Sequence, residues 1–94
     1  MKLTENAAAA LENIRESQRI PEDHSSRLTA DQQPTGLAVR LEFVEEVEEN
    51  DQVAEQAGTE IHVDSRLAEP LADTTMDVED SGEGLTFVFR TGRP

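Results

Sequence analysis

Apolar residues recur along the chain at two different spacings. Near the start, Ala7, Leu11 and Ile14 fall at the three-to-four-residue interval of a helix within LTENAAAALENIRES. Thr4 is placed to cap that helix, Glu5 suits its first turn, and the run of four alanines favours it. Pro21 ends it after Ile20. PEDHSSRLTADQQPTG then reads as loop, with a short strand around Arg27 to Thr29. From Leu37 the period changes to two: Leu37, Val39, Leu41 and Phe43 alternate with Ala38, Arg40, Glu42 and Val44, which predicts a half-buried strand. A turn at Ala57-Gly58 precedes a strand with Ile61 and Val63 on one face. SRLAEPLADT reads as a short helical turn with Ser65 near its cap and Pro70 limiting it. TTMDVED alternates through Met76 and Val78, SGEG is a turn, and LTFVFR predicts a last strand with Leu85, Phe87 and Phe89 inward. One helix followed by short, mostly antiparallel strands is an α+β pattern, and 94 residues suffice for one domain over 1–94.

Composition thins that core. With 35% hydrophobic and 3% aromatic residues, it is expected to be aliphatic, with Phe43, Phe87 and Phe89 as its large pieces. High charge and low hydrophobicity also describe disordered chains, but here the apolar residues are periodic rather than scattered. Eight basic against 21 acidic residues leave a formal net charge of −13. A field of that sign argues against nucleic acid and anionic membranes as partners. Seven of the eight basic residues are Arg and Lys2 is the one Lys, a surface suited to high salt, where screening makes self-repulsion tolerable. The chain holds no Cys, which excludes disulfides, thiolate metal sites and Cys nucleophiles from these residues. No stretch approaches the roughly 20 apolar residues of a membrane helix. The start lacks the basic-then-apolar pattern of a secretory signal, so a cytoplasmic location is expected.

Candidate chemistry is sparse. His62 alternates out of phase with Ile61 and Val63, which puts it on a polar face beside Glu60 and Asp64. Glu60, His62 and Asp64 are thus the candidate metal ligands, against the simpler reading of a solvated strand. His24, the other imidazole, lies in a separate segment with no spacing motif. EEVEEND offers carboxylates without the ordered spacing of a calcium loop, and reads more simply as a solvated, charge-rich hairpin. DSGEG precedes a strand rather than a helix, so turn chemistry accounts for it. The hydroxyls of Ser25, Ser26, Thr74 and Thr75 assemble into no nucleophile–base set, and no enzymatic activity is expected.

The order of pieces LTENAAAAL, QQPTGLAVRLEF, VEENDQV, QAGTEIHVDSRL, LADTTMDV and GEGLTFVFRTGRP resembles the A-type iron–sulfur carriers, the HesB/IscA-like family, from Leu3 to Phe89. The resemblance implies a HesB-like domain, a compact sandwich-like arrangement behind an N-terminal helix. It also implies cluster chemistry that this sequence does not match. The family places a Cys in the turn before its L-E-F strand, where QPTG has Pro34, and two more in a C-G-C-G tail, where this chain reads FRTGRP. Thiolates hold iron–sulfur clusters, so no cofactor is expected. Pro34 would set the corner by fixing φ, with Gly36 supplying a permissive position before the strand. The leading expectation is a cluster-free adaptor whose partners belong to iron–sulfur assembly. The alternatives are a divalent-metal protein using carboxylate and His ligands, or an acidic interaction domain outside iron–sulfur metabolism. The family commonly self-associates, which a charge of −13 opposes unless salt screens it.

Overall fold

The computed structural model describes residues 1–34, 36–80 and 82–91. A short strand β1 (Lys2–Leu3) leads into helix α1 (Glu5–Ser17). Strands β2 (Ser25–Gln33), β3 (Gly36–Val44), β4 (Gln52–Gln56) and β5 (Thr59–Val63) follow. A one-turn helix α2 (Ser65–Ala68) precedes β6 (Thr74–Asp80) and β7 (Leu85–Thr91). Two sheets form, with strand orders β1-β6-β7 and β3-β2-β5-β4. Pairing is antiparallel except for β1 with β6 and β2 with β5.

Local chemistry explains the start of α1. The Thr4 hydroxyl accepts from the Ala7 N–H at 3.0 Å and donates to the Asp77 carboxylate at 2.8 Å, so one side chain both caps the helix and ties it to β6. Small residues at Ala7, Ala8 and Ala10 let α1 lie close to β5 and β6, with Leu11 fully buried. At the other end Arg19 adopts φ +54°, and Ile20 N–H returns to the Arg15 carbonyl at 2.9 Å, a left-handed close ahead of Pro21.

One apolar cluster joins Leu3, Leu11, Leu28, Ile61, Val63, Leu67 and Met76 from both sheets and both helices. The core is aliphatic as expected, but its aromatic residues are not its centre. Phe87 and Phe89 pack against its edge, and Phe43 sits half-buried with the Arg15 guanidinium 5.8 Å from its ring. Leu85, expected to point inward, is 60% exposed. It pairs with Asp80 at the turn end of the β6–β7 hairpin, beyond Phe87 and Phe89, which pack against the core.

Other boundaries differ from the sequence reading for identifiable reasons. β2 runs nine residues rather than a few around Arg27, because β3 supplies a partner along its whole length. β4 went unread because it is an edge strand with only Ala54 buried and Val53 half exposed. The cap of α2 is Asp64, accepting from the Arg66 N–H at 2.8 Å, with Ser65 beside it as the first helical residue.

EEVEEND forms no hairpin. Strands β3 and β4 lie at opposite edges of their sheet, so residues 45–51 must cross from one edge to the other. Arg27 lies opposite the buried Leu28 along β2, on the outer face, and Asp51 bonds to it there, so the acidic segment is a strap over that face.

Ala57 and Gly58 close the β4–β5 hairpin with φ +54° and +84°, the conformation of a two-residue turn that favours Asn-Gly. Ala57 is a poor fit to left-handed backbone, at a cost of about 1 kcal/mol. Ala57→Asn is therefore expected to raise unfolding stability by roughly that amount, as read by the denaturation midpoint.

Candidate functional site

The turn that resembles the family's ligand corner joins Gln33 to Gly36, which pair across the β2–β3 hairpin. Gly36 takes φ +130°, a conformation open to glycine and strained for other residues. Pro34 is exposed on this turn, and its side chain presents no donor atom for a metal. Thr35 lies outside the described residues, as do Gly92, Arg93 and Pro94. The resemblance implies three thiolate ligands, and none of the 94 residues is a thiol. These residues do not fit an iron–sulfur cluster held by cysteine.

The three candidate ligands on and after β5 separate. Glu60 and His62 share the face of β5 opposite the buried Ile61 and Val63, with Glu60 exposed and His62 partly so. Asp64, expected on that solvated face, is instead 5% exposed and fully engaged. Its carboxylate accepts from the Arg66 N–H at 2.8 Å and from the Arg66 guanidinium at 2.8 and 3.3 Å. Arg27 approaches it at 3.5 Å. These donors, the Arg66 side chain first, hold the Asp64 carboxyl down at about 2.

Arg27 is the hinge of this network. Its Nε and Nη2 donate to the two carboxylate oxygens of Asp51 at 2.7 and 2.9 Å, a bidentate pair. The Asp51 side chain is 1% exposed and that of Arg27 13%. The Arg27 hydrogen bonds push the Asp51 carboxyl below its ordinary value, and Asp51 in turn raises the guanidinium. Asp51 also accepts from the Glu48 N–H at 3.2 Å, while its own N–H donates to the Glu48 carbonyl at 3.1 Å. The strap is thus pinned at its C-terminal end, with Glu45, Glu46, Glu48 and Glu49 all outward. Sequence reasoning missed this clasp, because Arg27 and Asp51 stand 24 positions apart, one in a short strand and the other in a segment read as a solvated hairpin.

The two imidazoles, unrelated by spacing, line one cleft of about 280 Å³ between the end of α1, residues 22–26 and β5. Glu12, Arg15, Glu22 and Glu60 line it as well. The Thr59 hydroxyl donates to Glu12 at 3.1 Å, and Arg15 donates to the carbonyls of Pro21 and His24 at 3.3 and 2.7 Å. Among the described residues, no group of three or more His, Asp or Glu side chains could hold a metal ion. No helix among them is long and apolar enough to cross a membrane.

With fold and geometry in place, comparison with known proteins defines the class. The sequence profile of the iron–sulphur cluster biosynthesis family matches residues 1–93, and the chain belongs to that family. Its fold is that of the A-type carriers. The crystal structure of Escherichia coli SufA, involved in biosynthesis of iron–sulfur clusters, is similar with TM-score 0.78 at 21% identity, covering 99% of this chain and 86% of that one. The crystal structure of IscA with the [2Fe-2S] cluster gives 0.72 at 22% identity, over 97% and 82% of the two chains. A solution structure of a protein from Aquifex aeolicus gives 0.71 at 22% identity, over 100% and 91%. No curated protein sequence matches the chain.

Proposed function

We propose that this chain is a cluster-free adaptor of iron–sulfur assembly, a HesB-like domain that docks assembly proteins without ligating a cluster through thiolates and without catalysing a reaction. The observation that carries this reading is a family match over residues 1–93 in a sequence with no Cys, whose corner turn presents an exposed Pro34. The fold is kept by packing and ion pairs that need no cluster: the aliphatic core, the Thr4 cap and the Arg27–Asp51 clasp. What the chain shares with the A-type carriers is therefore a shape, and shape is part of what a binding partner reads. The acidic, nearly Lys-free exterior supports a salt-rich cytoplasm as its setting and protein partners rather than nucleic acid or membrane.

Anaerobic reconstitution with ferrous iron and sulfide tests the first half. The expected result is a protein without visible cluster absorbance after desalting, and a stable cluster would overturn it. Co-purification from the native host tests the second half. An assembly protein is expected among the specific partners, and a reproducible partner set with none would refute the adaptor role.

A further inference from the structure

Strand β3 is the last strand of its sheet, and the charges along it complement one another when the strand is reversed. We propose that the outer edge of β3 pairs antiparallel with the same edge of a second copy of this chain, in a single register centred on Leu41. This docking is independent of the adaptor reading: either can fail while the other stands.

The edge is open and its inward face is incompletely covered. Among the described residues, β2 is the one strand that pairs with β3, so alternate residues between Gly36 and Val44 turn their N–H and C=O groups away from the sheet. Leu41 lies opposite the buried Leu28, which places Val39, Leu41 and Phe43 on the face toward the core. All three are nevertheless half-buried, and the fully buried members of the core cluster come from other elements. A strand added beyond β3 would shield this apolar row and take up the unpaired backbone groups.

Charge selects both the occupant and the register. A two-fold axis through an extended sheet keeps the inner faces of both copies on one side, so the pairing must centre on a single residue. Centred on Leu41, Arg40 faces Glu42 twice, Val39 faces Phe43, Ala38 faces Val44 and Leu41 faces its own copy. Centring on Arg40 or on Glu42 sets like charges directly opposite each other, which is destabilising. Centring on Val39 or on Phe43 leaves Arg40 and Glu42 without a charged partner inside the strand. Arg40 has donors to share: it lies 3.1 Å from Asp31 and 3.7 Å from its own Glu42, yet its side chain is 59% exposed. The ion pairs set the register, while the apolar row and the backbone bonds supply the affinity. At long range two chains of charge −13 repel, so this docking should tighten as salt screens them. A basic partner on the same edge would show the opposite dependence.

Sedimentation equilibrium of the unaltered protein tests the docking. The mass is expected to pass from one chain to two as concentration rises in about 1 M sodium chloride, with weaker association at about 0.1 M. Amide exchange in the dimer should slow at alternate positions of residues 38–44 and stay unchanged along the edge strands β4 and β7. Arg40→Glu should weaken the dimer roughly tenfold, and adding Glu42→Arg should restore it, because the exchanged charges rebuild the same pairs. Both positions are solvent-accessible, so neither variant disturbs the core. A monomer up to about 1 mM at the higher salt, tighter association at the lower salt, protection on β4 or β7 instead, or a double variant as weak as the single one would overturn the proposal.

Discussion

Arg27→Ala is expected to cost about 3 kcal/mol of unfolding stability, a large share of the roughly 5–15 kcal/mol available to a domain of this size. The figure is the lower end of what breaking a buried ion pair costs, since the pair lies under a surface strap rather than in the aliphatic core. Removing the guanidinium leaves Asp51, at 1% exposure, with no cationic partner, and takes a second cation from Asp64. The loss exceeds that of a surface bridge such as Arg40–Asp31, whose side chains are 59% and 43% exposed and whose removal should cost well under 1 kcal/mol. The double variant Arg27→Met with Asp51→Leu separates charge burial from packing. It should recover most of the loss, because matched apolar side chains replace the pair without an orphaned charge. Chemical denaturation of the three proteins checks this. A single variant within about 0.5 kcal/mol of the parent would show that the clasp is solvated and the strap not pinned.

The clasp also marks where sequence reasoning stops. Helix α1 was legible because its signals are local: a Thr cap, four alanines and apolar residues at helical spacing all lie within thirteen positions of one another. β3 and β5 were legible because alternation writes one buried face directly into the chain. The family, and with it the fold class, could be read from the order of these pieces, and the profile match and the likeness to SufA bear that out. Non-local pairing was not legible. β2 looks polar, yet β3 and β5 on either side make it a central strand. Leu85 obeys the alternation of β7 and still faces solvent, since period alone does not say where the core ends beneath a strand. Asp64 showed the same limit at the candidate site. Its spacing placed it with Glu60 and His62, but capping α2 and pairing with two arginines took it out of that row. The cleft then brought His24 to His62 across 38 positions that no motif connects.

Stability should pass through two regimes as pH falls, and salt should tell them apart. At about 0.1 M salt the Debye length is roughly 10 Å, so a formal charge of −13 on a small domain still repels itself. Lowering the pH from 7 towards about 4 removes net negative charge and should raise the denaturation midpoint. Below that, the sign reverses. Asp64 is held at about 2 against an ordinary 3.8, mainly by Arg66, and Asp51 is lowered by Arg27. A depressed carboxyl contributes stability that is fully present above the unfolded value and lost as pH falls through the folded one. For Asp64 that loss falls between about pH 4 and pH 2 and is on the order of 1–2 kcal/mol after solvent screening is allowed for. At about 1 M salt the Debye length shrinks to roughly 3 Å, and only the first regime should change. Stability at pH 7 should rise to near its pH 4 value, while the acid-side loss persists, because the Asp51 and Asp64 carboxylates are both buried and are screened far less than exposed charge. Denaturation curves that superimpose at pH 7 in the two salts would refute the salt-adapted surface. An acid-side loss that disappears in high salt would place Asp51 and Asp64 in solvent, and would remove the clasp from the forces that hold the strap across the sheet.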